Sequence, residues 1–125
     1  MPPVTREAAP AARVAAHTEL GLAVCTKIRQ AATRLGVDLG DAPAWPPPRL
    51  ECRIDPYSGE ASLIGHWQDG SRYGSVTLFA DQRVLAEYQL LVPHPQLAGQ
   101  FVEAIQVWGT LEQLKSDPVL LPLPE

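Results

Sequence analysis

The chain has 125 residues, 46% hydrophobic and 19% charged, which is enough apolar content for one buried core and leaves little room for a second domain. Lys+Arg is 10 and Asp+Glu is 14, a net charge of −4 that excludes a general electrostatic nucleic-acid binder. Two cysteines, Cys25 and Cys52, do not make a disulfide framework.

Arg6, Glu7, Arg13, His17 and Glu19 interrupt every apolar run that a secretory signal would need, and no run approaches the length of a membrane span. The expectation is a cytoplasmic protein with reduced thiols and no membrane partner. Residues 1–9 are expected to fray. A first helix is predicted from Pro10 to Leu35. There Val14, Thr18, Gly21, Cys25, Ile28, Ala32 and Leu35 recur at helical spacing, and Leu22 and Val24 widen the stripe. Gly36 suits a left-handed C-cap, and Arg34 suits the negative end of the helix dipole. Residues 36–48, GVDLGDAPAWPPP, read as a stiff connector. Pro46, Pro47 and Pro48 hold it in polyproline geometry and Trp45 pins it to the core.

Four strands are predicted next. In the first, Leu50, Cys52 and Ile54 alternate with Glu51, Arg53 and Asp55. A turn at Asp55-Pro56-Tyr57-Ser58-Gly59 leads to the second strand, Glu60–Trp67, with Ala61, Leu63, Gly65 and Trp67 on one face. The Asp69-Gly70 pair signals a hairpin into the third strand, Arg72–Ala80. The fourth, Val84–Val92, places Val84, Ala86, Tyr88, Leu90 and Val92 together. A second helix is predicted from Pro95 to Lys115, on a stripe of Leu97, Phe101, Ala104, Ile105, Trp108, Leu111 and Leu114. The remainder, 116–125, reads SDPVLLPLPE and is expected to be an extended apolar tail. The predicted architecture is one α+β domain over 10–115. It has a long N-terminal helix, a four-stranded antiparallel meander and a C-terminal helix, in a two-layer sandwich with a Pro-rich tail.

No chemical constellation emerges. His17, His66 and His94 fall on a predicted helix, strand and loop, and the cysteines form no CxxC pair. Cys52 and His66 sit on neighbouring strands but on opposite patterned faces, which argues against a nucleophile and its base. No Walker, GxGxxG or GxSxG motif is present. No catalytic residue, metal ligand or cofactor is assigned.

What stands out is apolar surface. Both predicted sheet faces carry apolar side chains, and the helices cover only one. Tyr73, Phe79 and Tyr88, with the tail residues Val119, Leu120, Leu121 and Leu123, form the candidate interaction surface. The reading is a non-catalytic protein-binding module, such as a small acidic adaptor, chaperone or assembly factor, whose partner is another protein or itself as a homodimer. The alternative is a small-ligand-binding protein or enzyme with a pocket between helix and sheet. Its candidate lining is His66, Trp67 and Trp108, joined by Tyr73 and Tyr88.

Overall fold

The computed structural model describes residues 6–8, as backbone, and residues 11–122. The expected fraying of 1–9 and the side chain of Leu123 lie outside the described residues, apart from one short strand. Helices α1 (Ala11–Ala16) and α2 (Thr18–Arg34) precede a sheet that holds nearly all the rest of the chain. Its strands are β1 (Arg6–Ala8), β2 (Arg49–Ile54), β3 (Ala61–Asp69), β4 (Arg72–Leu78), β5 (Val84–Pro93), β6 (Gln100–Thr110) and β7 (Gln113–Pro122). They lie side by side in chain order as a seven-stranded antiparallel sheet.

Alternation along the strands sorts apolar from polar. The inner face carries Cys52, Leu63, Trp67, Val76, Leu78, Val84, Ala86, Tyr88, Leu90, Val102, Ile105 and Val107, all buried. Helix α2 lies on this face with Leu20, Val24, Cys25, Ile28 and Ala32 turned into the core. Its end is closed at Gly36, which takes φ +81° while its N–H donates to the Thr33 carbonyl and that of Val37 to Ala32. The connector crosses one end of this layer. Trp45 lies against Gly21 of α2, so closely that a methyl group there would overlap the indole. Trp67 Nε1 donates to the Ala44 carbonyl at 2.8 Å, and Arg29 donates to the Pro43 carbonyl at 2.6 Å. Pro47 fills the space left open by Gly65 on β3. The expected pinning role of Trp45 therefore has a specific seat.

Three expectations are corrected. The long first helix is two pieces that meet at His17. The Thr18 hydroxyl donates to the Val14 carbonyl, a back-bond that bends helices. The four-stranded meander is a seven-stranded sheet, so α+β with helices at both ends of the chain gives way to a mainly β architecture. No helix spans 95–115, where the chain forms β6, a tight turn at Leu111-Glu112, and the start of β7. The misleading signal has a physical cause. The β6 register shifts between Val102 and Ala104, which leaves Glu103 as an extra residue. The bulge puts Phe101 and Trp108 on one face and Val102, Ile105 and Val107 on the other, and the broken alternation resembles helical spacing.

The supposed tail is the edge strand β7, paired along β6 of the same chain from Gln113 to Pro122. Proline cannot donate to a ladder, and an edge is where a sheet tolerates it. Pro118 and Pro122 share the same parity, so both nitrogens turn to the same side of the strand. Leu120 packs on the core, while Val119 and Leu121 belong to the opposite parity. Among the described residues no helix is long and apolar enough to cross a membrane.

Candidate interaction surfaces

The outer face of the sheet is covered by no described helix. Register defines two rows that cross it from β2 to β7. One runs Glu51, Ile64, Thr77, Leu85, Trp108, Lys115. The next runs Arg49, His66, Ser75, Glu87, Gln106, Asp117. Within the second row the Gln106 amide donates to Glu87 at 3.2 Å. The first row is apolar at its centre and carries an acid at one end and a base at the other. The second row reverses those signs.

Large apolar side chains on this side remain in water: Leu85 and Tyr73 are 51% exposed and Leu121 42%, while Leu91, at φ +52° in the bulge of β5, is 63% exposed. Phe79 is half-buried under Arg83, whose guanidinium sits 5.4 Å from the ring centroid. Arg83 also pairs with Asp81 at 2.7 Å, and the Arg83 backbone N–H holds the Asp81 carboxyl below its ordinary range. That turn is a local clasp that fixes the β4–β5 hairpin.

The inner layer holds the most heavily perturbed groups. Tyr88 is fully buried, stands edge-on to Trp67 at 6.3 Å, and donates its hydroxyl to Asp69 at 2.9 Å. Burial first, and then the bond to Asp69, push the Tyr88 phenol well above its ordinary value. Burial likewise raises the Cys25 thiol to about 11; the charge of Asp69 adds to this and that of Arg29 opposes it. Both groups stay protonated near neutrality, so neither offers an anion for nucleophilic work. Cys52 is buried on β2 and accepts a hydrogen bond from Arg13 of α1. Among the described residues no group of three His, Cys, Asp or Glu side chains is placed to hold a metal ion. Two buried polar atoms, His17 Nδ1 and Trp45 Nε1, have no hydrogen-bond partner among the described residues. Desolvation lowers the His17 pKa, as burial does for any cation without a partner.

The residues singled out from sequence divide between the layers. Tyr73, Phe79, Val119 and Leu121 share the outer side, whereas Tyr88 and Leu120 point into the core and can offer no free surface. By register His66 and Trp108 take the outer parity and Trp67 the inner, and of the three Trp108 borders the groove beside α2, so these three do not line one enclosed pocket. Cys52 and His66 occupy opposite faces, as their alternation requires. Sequence reasoning missed Leu85 and Leu91, whose strand was read correctly but whose face had no known cover. A groove of about 460 Å³ separates α2 from β6 and β7, bordered by Lys27, Ala31, Arg34, Ile105, Trp108 and Pro118 among others. The chain matches no family model, no curated protein and no solved structure.

Proposed function

We propose that this chain is a non-catalytic protein-binding module and that its working surface is the outer face of the sheet. The carrying observation is the set Tyr73, Leu85 and Leu121, which stay about half exposed on one side of the sheet while Leu63, Trp67, Leu78, Tyr88 and Ile105 are buried on the other. Covering the exposed half of one such side chain is worth about 1 kcal/mol, so a partner over several of them gains a useful share of binding energy. The free edge supports the face over strand addition, because Lys115, Asp117, Pro118 and Pro122 blunt β7. The test is Leu85→Asp. An outer-face module keeps its thermal stability within a few degrees and loses its assembly, because Leu85 is outside the core. A variant that assembles like the parent refutes the proposal.

The groove between α2 and β6–β7 supports a second reading, a site for a small ligand. Its size lies in the range of small-molecule sites, and Ile105 gives it an apolar floor. Of the pocket residues named from sequence, Trp108 borders it. A bound ligand raises the melting temperature by mass action, and Ala31→Trp removes that rise by filling the groove.

A further inference from the structure

We infer that the groove between α2 and β6–β7 takes a small organic anion, a carboxylate, sulfonate or phosphate head carried on an apolar body. The inference rests on the small-ligand reading above and adds the class of ligand. Lys27, Ala31 and Arg34 stand at i, i+4 and i+7 on α2, so they fall on one face of the helix. All three border the groove. The facing wall is the edge strand. There Ser116 pairs with Val107 and Pro118 with Ile105, so both share the parity of buried core residues and turn to the side on which α2 lies. The floor is apolar, because Ile105 is fully buried and Ala31 nearly so. Long cationic side chains suit such walls, since their stems cover apolar surface while their charged ends stay in water.

The charge of the groove opposes that of the chain. The sequence has only two lysines, Lys27 and Lys115, and both border the groove together with Arg34. Lys115 takes the outer parity but reaches the groove at the free edge of β7. Asp117 is the one acid among the bordering residues. Three cations against one acid leave a local charge of +2 in a chain whose net charge is −4. A cavity at the β2–β3 turn, by contrast, sets Arg53 against Asp55 and Glu60. Lys27, Arg34 and Lys115 are not neutralised in place, for among the described residues the one ion pair joins Arg83 to Asp81. The end of α2 offers them no free acceptor either. The carbonyls of Ala31, Ala32 and Thr33 already accept from the N–H groups of Leu35, Gly36 and Val37. Acids elsewhere on the surface count for little, because the Debye length is about 8 Å at physiological salt. An uncharged ligand would leave the three cations unused, and a bare inorganic anion would leave the apolar floor in water. At about 460 Å³ the groove has room for a ligand that satisfies both.

The experiment titrates the chain with two fluorescent dyes, anilinonaphthalene sulfonate and phenylnaphthylamine, which share their rings and differ in the sulfonate. One variant carries Lys27→Gln with Arg34→Gln, changes that keep the helix propensity of α2. Asp117→Asn removes the acid, and Leu85→Asp serves as an outer-face control. The sulfonate binds the parent, and binds it more weakly as salt rises. It binds the α2 pair about three- to tenfold more weakly and Asp117→Asn about twofold more tightly, the range open to exposed charges. The uncharged dye changes by less than about twofold across the set, and Leu85→Asp leaves the sulfonate unaffected. The inference is overturned if the sulfonate does not bind, if the α2 pair binds it like the parent, or if Leu85→Asp alone releases it. Ala31→Trp and Ser116→Trp fill the groove from opposite walls and separate the two levels, each first checked for native circular dichroism. If either expels the uncharged dye while the α2 pair leaves the sulfonate bound, the small-ligand reading stands and the anion class fails. If neither expels either dye, the small-ligand reading fails as well.

Discussion

Replacing Gly21 with Ala tests the packing of the connector through the sign of its effect. In an isolated helix the change is favourable, because glycine costs about 1 kcal/mol relative to alanine in a helix interior. In this chain the new methyl overlaps three atoms of the Trp45 indole. The ring has to leave its seat, which disturbs the neighbouring bond from Trp67 Nε1 to the Ala44 carbonyl. Overpacking costs about 1–3 kcal/mol, and an overlap with the body of a ring belongs at the upper end. Subtracting the propensity gain leaves a net loss of about 2 kcal/mol. Urea unfolding followed by far-UV circular dichroism measures it without relying on the tryptophans. Trp45→Ala empties the seat, and in that background Gly21→Ala becomes stabilising by up to about 1 kcal/mol. If Gly21→Ala stabilises the chain with Trp45 in place, the account of the connector is refuted.

Other outcomes follow from the same structure. Tyr88→Phe removes a buried donor to Asp69 and costs about 1–2 kcal/mol, with the exposed side of Asp69 free to recruit water. The folded-state Tyr88 pKa lies above its unfolded value near 10.0, so its stabilisation is present below that pH and is lost as pH rises beyond it. Unfolding free energies between pH 8 and 11 therefore fall less steeply in Tyr88→Phe than in the parent, and equal slopes contradict the assignment. In a Cys52→Ala background, Cys25 reacts with a thiol reagent about a hundredfold more slowly in the native state than in urea, because a rise from 9.0 to about 11 cuts the thiolate fraction by that factor. Rapid native labelling would place the thiol in solvent. Gly109→Ala at φ +119° drives a methyl into the Gln113 carbonyl, and a loss below about 1 kcal/mol by thermal unfolding would show the β6–β7 hairpin built otherwise.

The parts of the fold that were legible in the sequence are those with an unbroken period. Leu50-Cys52-Ile54, Leu63-Gly65-Trp67 and Val84-Ala86-Tyr88 alternate cleanly, and each set shares one face of the sheet in the structure. The body of α2 and its cap at Gly36 were equally readable. Past residue 95 the period breaks. A bulge at Glu103 switches the faces of β6, and the turn Leu111-Glu112 lacks the Asn-Gly or Asp-Gly chemistry that marks a hairpin. Its special residue, Gly109, sits two positions early. Prolines 118 and 122 hid β7, because they argue against a strand until an edge is specified. The same gap explains Tyr88. Its alternation with Ala86 and Leu90 was visible, but with the helix assigned to the wrong place the covered face was undecided. Leu85, read on the face opposite Tyr88, was then not chosen as an interaction residue.

The central claim is that the outer face of the sheet is the binding surface through which the chain assembles. The most direct measurement is sedimentation velocity of the unmodified chain and of Leu85→Asp over the same concentration series. The account predicts a species of twice the 13.6 kDa chain mass that grows with concentration in the parent and is missing in the variant. Identical sedimentation of the two, whether both stay at the single-chain mass or both dimerise, would contradict it.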